Sequence, residues 1–235
     1  MKNYIIFFVL VLVMLFSNYE VSYSQYTENF YFLDGTEGNE KAVMYLHITD
    51  DDAWGYYYTE RQSIEFDGSF VGKNLNLEYS YYDDNIKKRI EGTIKGTLSG
   101  NIVFIGEHNS KNINLSLANM PINSALITEY QGIKKIIFNI KTLNININYD
   151  YIGSDVQIAY LDKNIIIFYA YGFNWYGYFA YSIHTGKKIN LLDYISNSLF
   201  QEYKLEYVED GGFYRIPNSE LFFMTLVKEN LWNLH

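Results

Sequence analysis

The 235-residue chain contains no cysteine. That absence excludes disulfides, thiol nucleophiles, zinc–thiolate centres and a lipid-modified Cys anchor. Basic residues are scarce: 18 Lys+Arg stand against 27 Asp+Glu, a formal charge of −9. Such a chain is poorly suited to nucleic acid, whose binding depends on Lys and Arg displacing counterions from phosphate. Proline occurs only twice. Beyond the N-terminus there is no run of eighteen or more apolar residues, so the sequence predicts no membrane span there. Motifs for nucleotides and hydrolysis are missing too, among them Gly-x-Gly-x-x-Gly, Gly-x-x-x-x-Gly-Lys-Ser/Thr, Gly-x-Ser-x-Gly and His-Glu-x-x-His.

Aromatic side chains are abundant: 25 Tyr, 16 Phe and 3 Trp. A disordered chain lacks the large apolar faces that this composition supplies. At the N-terminus Lys2 precedes an unbroken apolar stretch from Ile5 to Phe16. It is too short to span a core of about 30 Å comfortably. Ser22 and Ser24 then put small residues at −3 and −1 before Gln25, the layout of a secretory signal peptide over 1–24. The expected product is periplasmic or secreted, without a membrane span after cleavage. The alternative is a protein anchored by an uncleaved N-terminal segment.

From Gln25 the pattern is that of strands. Leu75-Asn76-Leu77-Glu78-Tyr79, Ile113-Asn114-Leu115-Ser116-Leu117 and Leu143 to Tyr149 alternate apolar and polar residues. A period of two sends all apolar side chains to one face of a strand. Asp67-Gly68, Asp83-Asp84-Asn85, Ser99-Gly100-Asn101 and Asn109-Ser110 have the chemistry of hairpin turns. After Met120-Pro121 the pattern restarts, which predicts an antiparallel β-meander domain over 25–120 and an α+β domain over 121–235. The expected fold class is mainly β with an α+β C-terminal half: a meander, then a sheet with two C-terminal helices near 191–205 and 219–234. In the second helix Leu221, Phe222, Met224, Leu226, Val227, Leu231, Trp232 and Leu234 make a broad apolar face.

Two stretches resemble known families. Residues 54–117 run through Gly55-Tyr56-Tyr57-Tyr58, Ile64-Glu65-Phe66-Asp67-Gly68, Leu75-Asn76-Leu77-Glu78, Ile90-Glu91-Gly92 and Phe104-Ile105-Gly106. That cadence resembles a lipocalin-like meander module of small secreted bacterial proteins, although Glu107-His108 stands where many members have Trp. Residues 158–195 carry Tyr181-Ser182-Ile183-His184-Thr185-Gly186-Lys187 followed by Ile189-Asn190-Leu191-Leu192-Asp193-Tyr194-Ile195. This stretch resembles an extracellular domain found on peptidoglycan deacetylases and on lysozyme-sensing anti-sigma factors. The resemblance implies a Thr-Gly-Lys hairpin leading into a helix. It also departs from the family: Tyr194-Ile195 replaces the commoner Ile/Leu-Phe, and the family's later strands are lacking, as in a shortened or truncated member. The deacetylase catalytic domain and the sigma-binding segment have no counterpart in these residues.

No residue set proposes a catalytic centre, a metal site or a cofactor. His47, His108, His184 and His235 are isolated in sequence and read as ordinary surface residues. Asp50-Asp51-Asp52 reads as a solvated turn, because adjacent carboxylates rarely converge on one cation. The candidate binding face is the aromatic stretch containing Tyr171, Phe173, Trp175 and Tyr178, whose glycines predict an exposed, adaptable loop. Sheet filling accounts for the same aromatics. The expected function is a non-enzymatic binding protein for a protein or cell-wall glycan. Alternatives are a lysozyme-binding or inhibitory protein, favoured by acidity and resemblance, and a carboxylate-dependent cell-wall hydrolase.

Overall fold

Eight strands succeed one another as antiparallel neighbours: β1 (Tyr26–Glu37), β2 (Glu40–Ile48), β3 (Asp52–Thr59), β4 (Ser63–Val71), β5 (Asn74–Asp83), β6 (Lys88–Leu98), β7 (Val103–His108) and β8 (Lys111–Leu117). In this computed structural model β8 returns to β1, with Leu33 opposite Leu117 and Glu37 opposite Ile113, and the meander closes into a barrel. Closure pairs edges that an open sheet would expose. The structure describes residues 26–83, 87–119, 123–130, 133–138, 142–145, 155–172, 175–209 and 212–232. The signal-like segment over 1–24 therefore lies outside the described residues, as do Asn146 to Tyr149 of one alternating run.

Strand β1 is long enough to serve two partners along the edge opposite β2. Its second half closes the barrel, while Tyr26–Tyr31 pairs with β9 (Ser124–Tyr130). β10 (Ile133–Phe138) and β11 (Thr142–Ile145) extend that side. By hydrogen bonding, β9, β10 and β11 thus belong to the first sheet. A second antiparallel sheet has the order β12 (Asp155–Leu161), β13 (Ile165–Gly172), β14 (Trp175–Ser182), β16 (Phe213–Arg215), β15 (Glu206–Val208).

Burial follows each strand's position. In β8, Ile113 and Leu115 are buried while Asn112, Asn114 and Ser116 face water, so alternation is clean. In β2 every residue from Ala42 to Ile48 is buried, because both of its faces are covered. Met44 and Leu46 point into the barrel, where Leu77, Phe66 and Phe104 join them. Val43 and Tyr45 point outward into a second core with Phe30, Phe32, Ile158, Tyr160 and Phe168. The barrel lumen is packed with side chains in the manner of a small eight-stranded barrel.

Turns are set by local chemistry. Asn109 and Ser110 both take positive φ, 49° and 62°, as a two-residue type I′ hairpin requires. Ser99-Gly100-Asn101 likewise separates β6 from β7. Asp67-Gly68 is not a turn, contrary to expectation. It lies within β4, and the chain reverses instead at Gly72, with φ +67°. Gly68 is needed for close approach: a Cβ there would sit 2.1 Å from the Asn76 carbonyl oxygen.

The Thr185-Gly186 turn forms as expected, with Gly186 at φ +69° and Ser182 N–H donating to the Lys187 carbonyl at 2.9 Å. The expected helix over 191–205 divides into a 3₁₀ turn, Leu191–Asp193, and α1 (Asn197–Glu202). Asn190 Oδ1 caps the turn by accepting from Leu192 N–H, and Ser196 Oγ caps α1 by accepting from Leu199 N–H. α2 (Ser219–Val227) is followed by a π-helical turn, Lys228–Trp232. Its buried residues are Phe222, Phe223, Leu226 and Val227, whereas Leu221 is exposed. The helix touches β3 and β4 as well as β12, so it seals the seam between the barrel and the second sheet. No helix among the described residues is long and apolar enough to cross a membrane.

Candidate functional site

The seam holds a recess of about 330 Å³. Its barrel wall comes from the outward face of β3 and β4, where Tyr56 stands directly opposite Glu65. Tyr58, two residues along, points the same way by strand periodicity. The facing wall is the β13–β14 hairpin, in which Tyr169 stands opposite Tyr178 with ring centroids 5.1 Å apart. α2 contributes Glu220 and Phe223, and the Phe223 ring lies 5.2 Å from that of Tyr178. Tyr56 Oη donates to Gln157 Oε1 at 3.3 Å, tying β3 to β12 behind the recess.

Burial drives the ionisation of these groups. Desolvation raises the Tyr56, Tyr58 and Tyr178 hydroxyls well above the ordinary phenol value, so they remain neutral donors at physiological pH. Desolvation also raises the Glu65 carboxyl, helped by the negative charges of Glu220 and Asp67. Glu220 is raised by desolvation. Both glutamates keep solvent access at the mouth, which screens their mutual repulsion. Neither has an ion-pair partner among the described residues, whereas the nearby Arg215 sits 3.8 Å from Glu206. Tyr58 is fully buried. Ser63 lies near enough to ease its ionisation, yet the two hydroxyls form no hydrogen bond of sound geometry.

The aromatic stretch singled out from the sequence is placed as follows. Tyr171 and Trp175 are strand residues flanking the hairpin tip, with Tyr171 opposite Tyr176 and Gly172 opposite Trp175. Phe173 lies outside the described residues. Tyr178 is only 6% exposed, so it is a wall residue of the recess and not an exposed anchor on a loop. Its glycines lie in strands, Gly172 in β13 and Gly177 in β14, and Gly177 serves a tight contact: a Cβ there would come within 2.2 Å of the Phe213 ring. Tyr176, at 57% exposure, is an accessible ring of this hairpin.

Two of the four histidines correct the sequence reading outright, for His47 and His108 are fully buried. His47 Nε2 accepts the Ile158 backbone N–H at 3.1 Å, and Nδ1 meets the buried Glu28 carboxylate. An acceptor at Nε2 fixes the proton on Nδ1, which donates to Glu28. The ring stacks on Trp54 at 5.8 Å. His108 repeats the scheme: Nε2 accepts from Tyr79 Oη at 2.8 Å, and Nδ1 donates to Glu37 Oε2 at 3.1 Å. Tyr57 Oη also donates to Glu37, at 2.8 Å, and Lys111 Nζ stands 3.7 Å from its other oxygen. This network crosses one end of the barrel. The sequence hides both pairs because Glu28 and Glu37 lie 19 and 71 residues from their histidines.

Among the described residues no group of three or more His, Asp or Glu is arranged to hold a metal ion. No family model, no curated protein and no solved structure matches the chain.

Proposed function

We propose that the chain is an exported, non-enzymatic binding protein that engages a protein or a cell-wall glycan through the recess between its barrel and its second sheet. The observation that carries this reading is the convergence of Tyr56, Tyr178, Glu65 and Glu220 in one concavity. Concave sites combining apolar walls with a few polar groups are the usual places for ligands. Tyrosine offers rigid contact area with a polar tip. The signal-like N-terminus supports export, and the resemblance over 158–195 makes lysozyme-type muramidases and cell-wall fragments the first partners to try. Calorimetry at physiological salt should give saturable binding to one of these two partner classes. Absence of binding to both would refute the reading.

A second reading has one specific observation in its favour. Raised carboxyls such as Glu65 and Glu220 are what a glycoside hydrolase needs in its general acid. Release of reducing ends from cell-wall fragments, lost in Glu65→Gln and Glu220→Gln, would establish hydrolysis in place of binding.

A further inference from the structure

We propose that the recess receives a single basic side chain, a guanidinium or ammonium group projecting from a protein partner. The inference rests on the binding reading above and names the chemical group recognised.

Two features of the recess point to a cation. The first is charge. Arg215 also lines the recess but stands 3.8 Å from Glu206, while Glu65 and Glu220 face the same space with no ion-pair partner among the described residues. Each feels the cost of desolvation, and Glu65 also feels the other's charge. A bound cation offsets both penalties together. A neutral sugar donates hydrogen bonds but leaves the charges uncompensated.

The second feature is the walls. Tyr169, Tyr176 and Tyr178 form a run of tilted rings with neighbouring centroids 5.1 and 6.5 Å apart. Tyr56 and Tyr58 stack at 6.4 Å on the opposite side. Ring faces carry negative quadrupole density and attract Arg and Lys.

Volume agrees with this occupant. About 330 Å³ is at the lower end of the roughly 300–1,000 Å³ usual for ligand clefts, the scale of one long side chain and not of a protein surface.

The test is an NMR titration of the protein at physiological salt with N-acetylarginine amide, N-acetylalanine amide and a chitin-type oligosaccharide. The expected result is saturable shifts from the arginine probe, centred on Tyr56, Tyr176 and Tyr178, with none from the alanine probe. Glu65→Gln and Glu220→Gln should each weaken arginine binding about fivefold, since a charge-assisted contact is worth roughly one kcal/mol at a partly exposed site. Both residues sit at the mouth, and an unchanged amide spectrum verifies that the variants are folded. Binding of the oligosaccharide in the recess without the arginine probe overturns this inference and leaves the binding reading standing. Arginine binding that ignores both substitutions overturns it too, because the site is then elsewhere. If neither ligand binds, this inference falls, and the binding reading is decided separately by the calorimetry against both partner classes.

Discussion

His47 Nε2 and the Ile158 backbone N–H meet at 3.1 Å, and with that bond a side chain of the barrel completes the hydrogen bonding of an edge strand in the second sheet. The bond uses the one nitrogen that a neutral, Nδ1-protonated imidazole leaves free, and the opposite nitrogen is committed to Glu28. One ring thus joins β1, β2 and β12. It stacks on Trp54, has the tilted Phe30 ring 5.0 Å away, and is fully buried, so water does not replace a lost partner.

His47→Ala should therefore cost about 3 kcal/mol or more. It takes the imidazole away from the buried Glu28 carboxylate and leaves the buried Ile158 N–H without its acceptor, and removing one member of a buried pair is the expensive case. Chemical denaturation measures the loss. Hydrogen exchange gives the local signature: the Ile158 amide should exchange faster in the variant than barrel amides such as Leu77. Equal acceleration across both sheets would show that the ring does not specifically tie them together.

Gly92 is held open for a different ring. A Cβ at this position would fall 2.2 Å from Tyr79 Oη and 2.3 Å from its Cζ. Gly92→Ala should push Tyr79 away from His108 and destabilise the protein by roughly 1–3 kcal/mol, the range for overpacking a core. In a Tyr79→Ala background the same methyl should cost little, a coupling that a double-mutant cycle reads directly.

The recess predicts a pH dependence of definite sign. Glu65 and Glu220 carry folded-state values above the ordinary carboxylate range, so the folded protein holds their protons more tightly than the unfolded chain. Stability from this source is fully present below the unfolded carboxylate value of about 4.3, and is lost as pH rises through the folded values. Glu65→Gln should consequently raise the Tm at pH 7. That advantage over the wild type should shrink as pH is lowered toward 5. An advantage that grows on acidification would contradict the sign.

Export is tested on protein recovered from its native host. The first residue should be Gln25, following cleavage after Ser24. A chain that retains Met1 in a soluble cytoplasmic pool contradicts that expectation.

The fold was legible wherever one face of a strand is wet. Alternation in Ile113–Leu117 and Leu75–Tyr79 marks β8 and β5, and Asn109-Ser110 marks the turn before β8. It was less legible where both faces are covered. β2 shows no alternation because each side meets a different core. Asp67-Gly68 carries turn chemistry, yet Gly68 serves close strand approach inside β4. The site was legible in part. Tyr178 belongs to the recess, but Tyr56, Glu65 and Glu220 come from distant strands and a helix that only the tertiary fold brings together. The same holds for His47 and Glu28, whose pairing depends on the register of β1 with β2.

The most direct test of the proposed binding site is calorimetry of the protein against a lysozyme-type muramidase at physiological salt, comparing wild type with the Glu65→Gln, Glu220→Gln double variant. Long-range steering is screened beyond roughly 8 Å under these conditions, so what remains reports contact in the recess. The account predicts saturable binding by the wild type and at least about tenfold weaker binding by the double variant, equivalent to about 1.4 kcal/mol. Undiminished binding by a correctly folded double variant would contradict it.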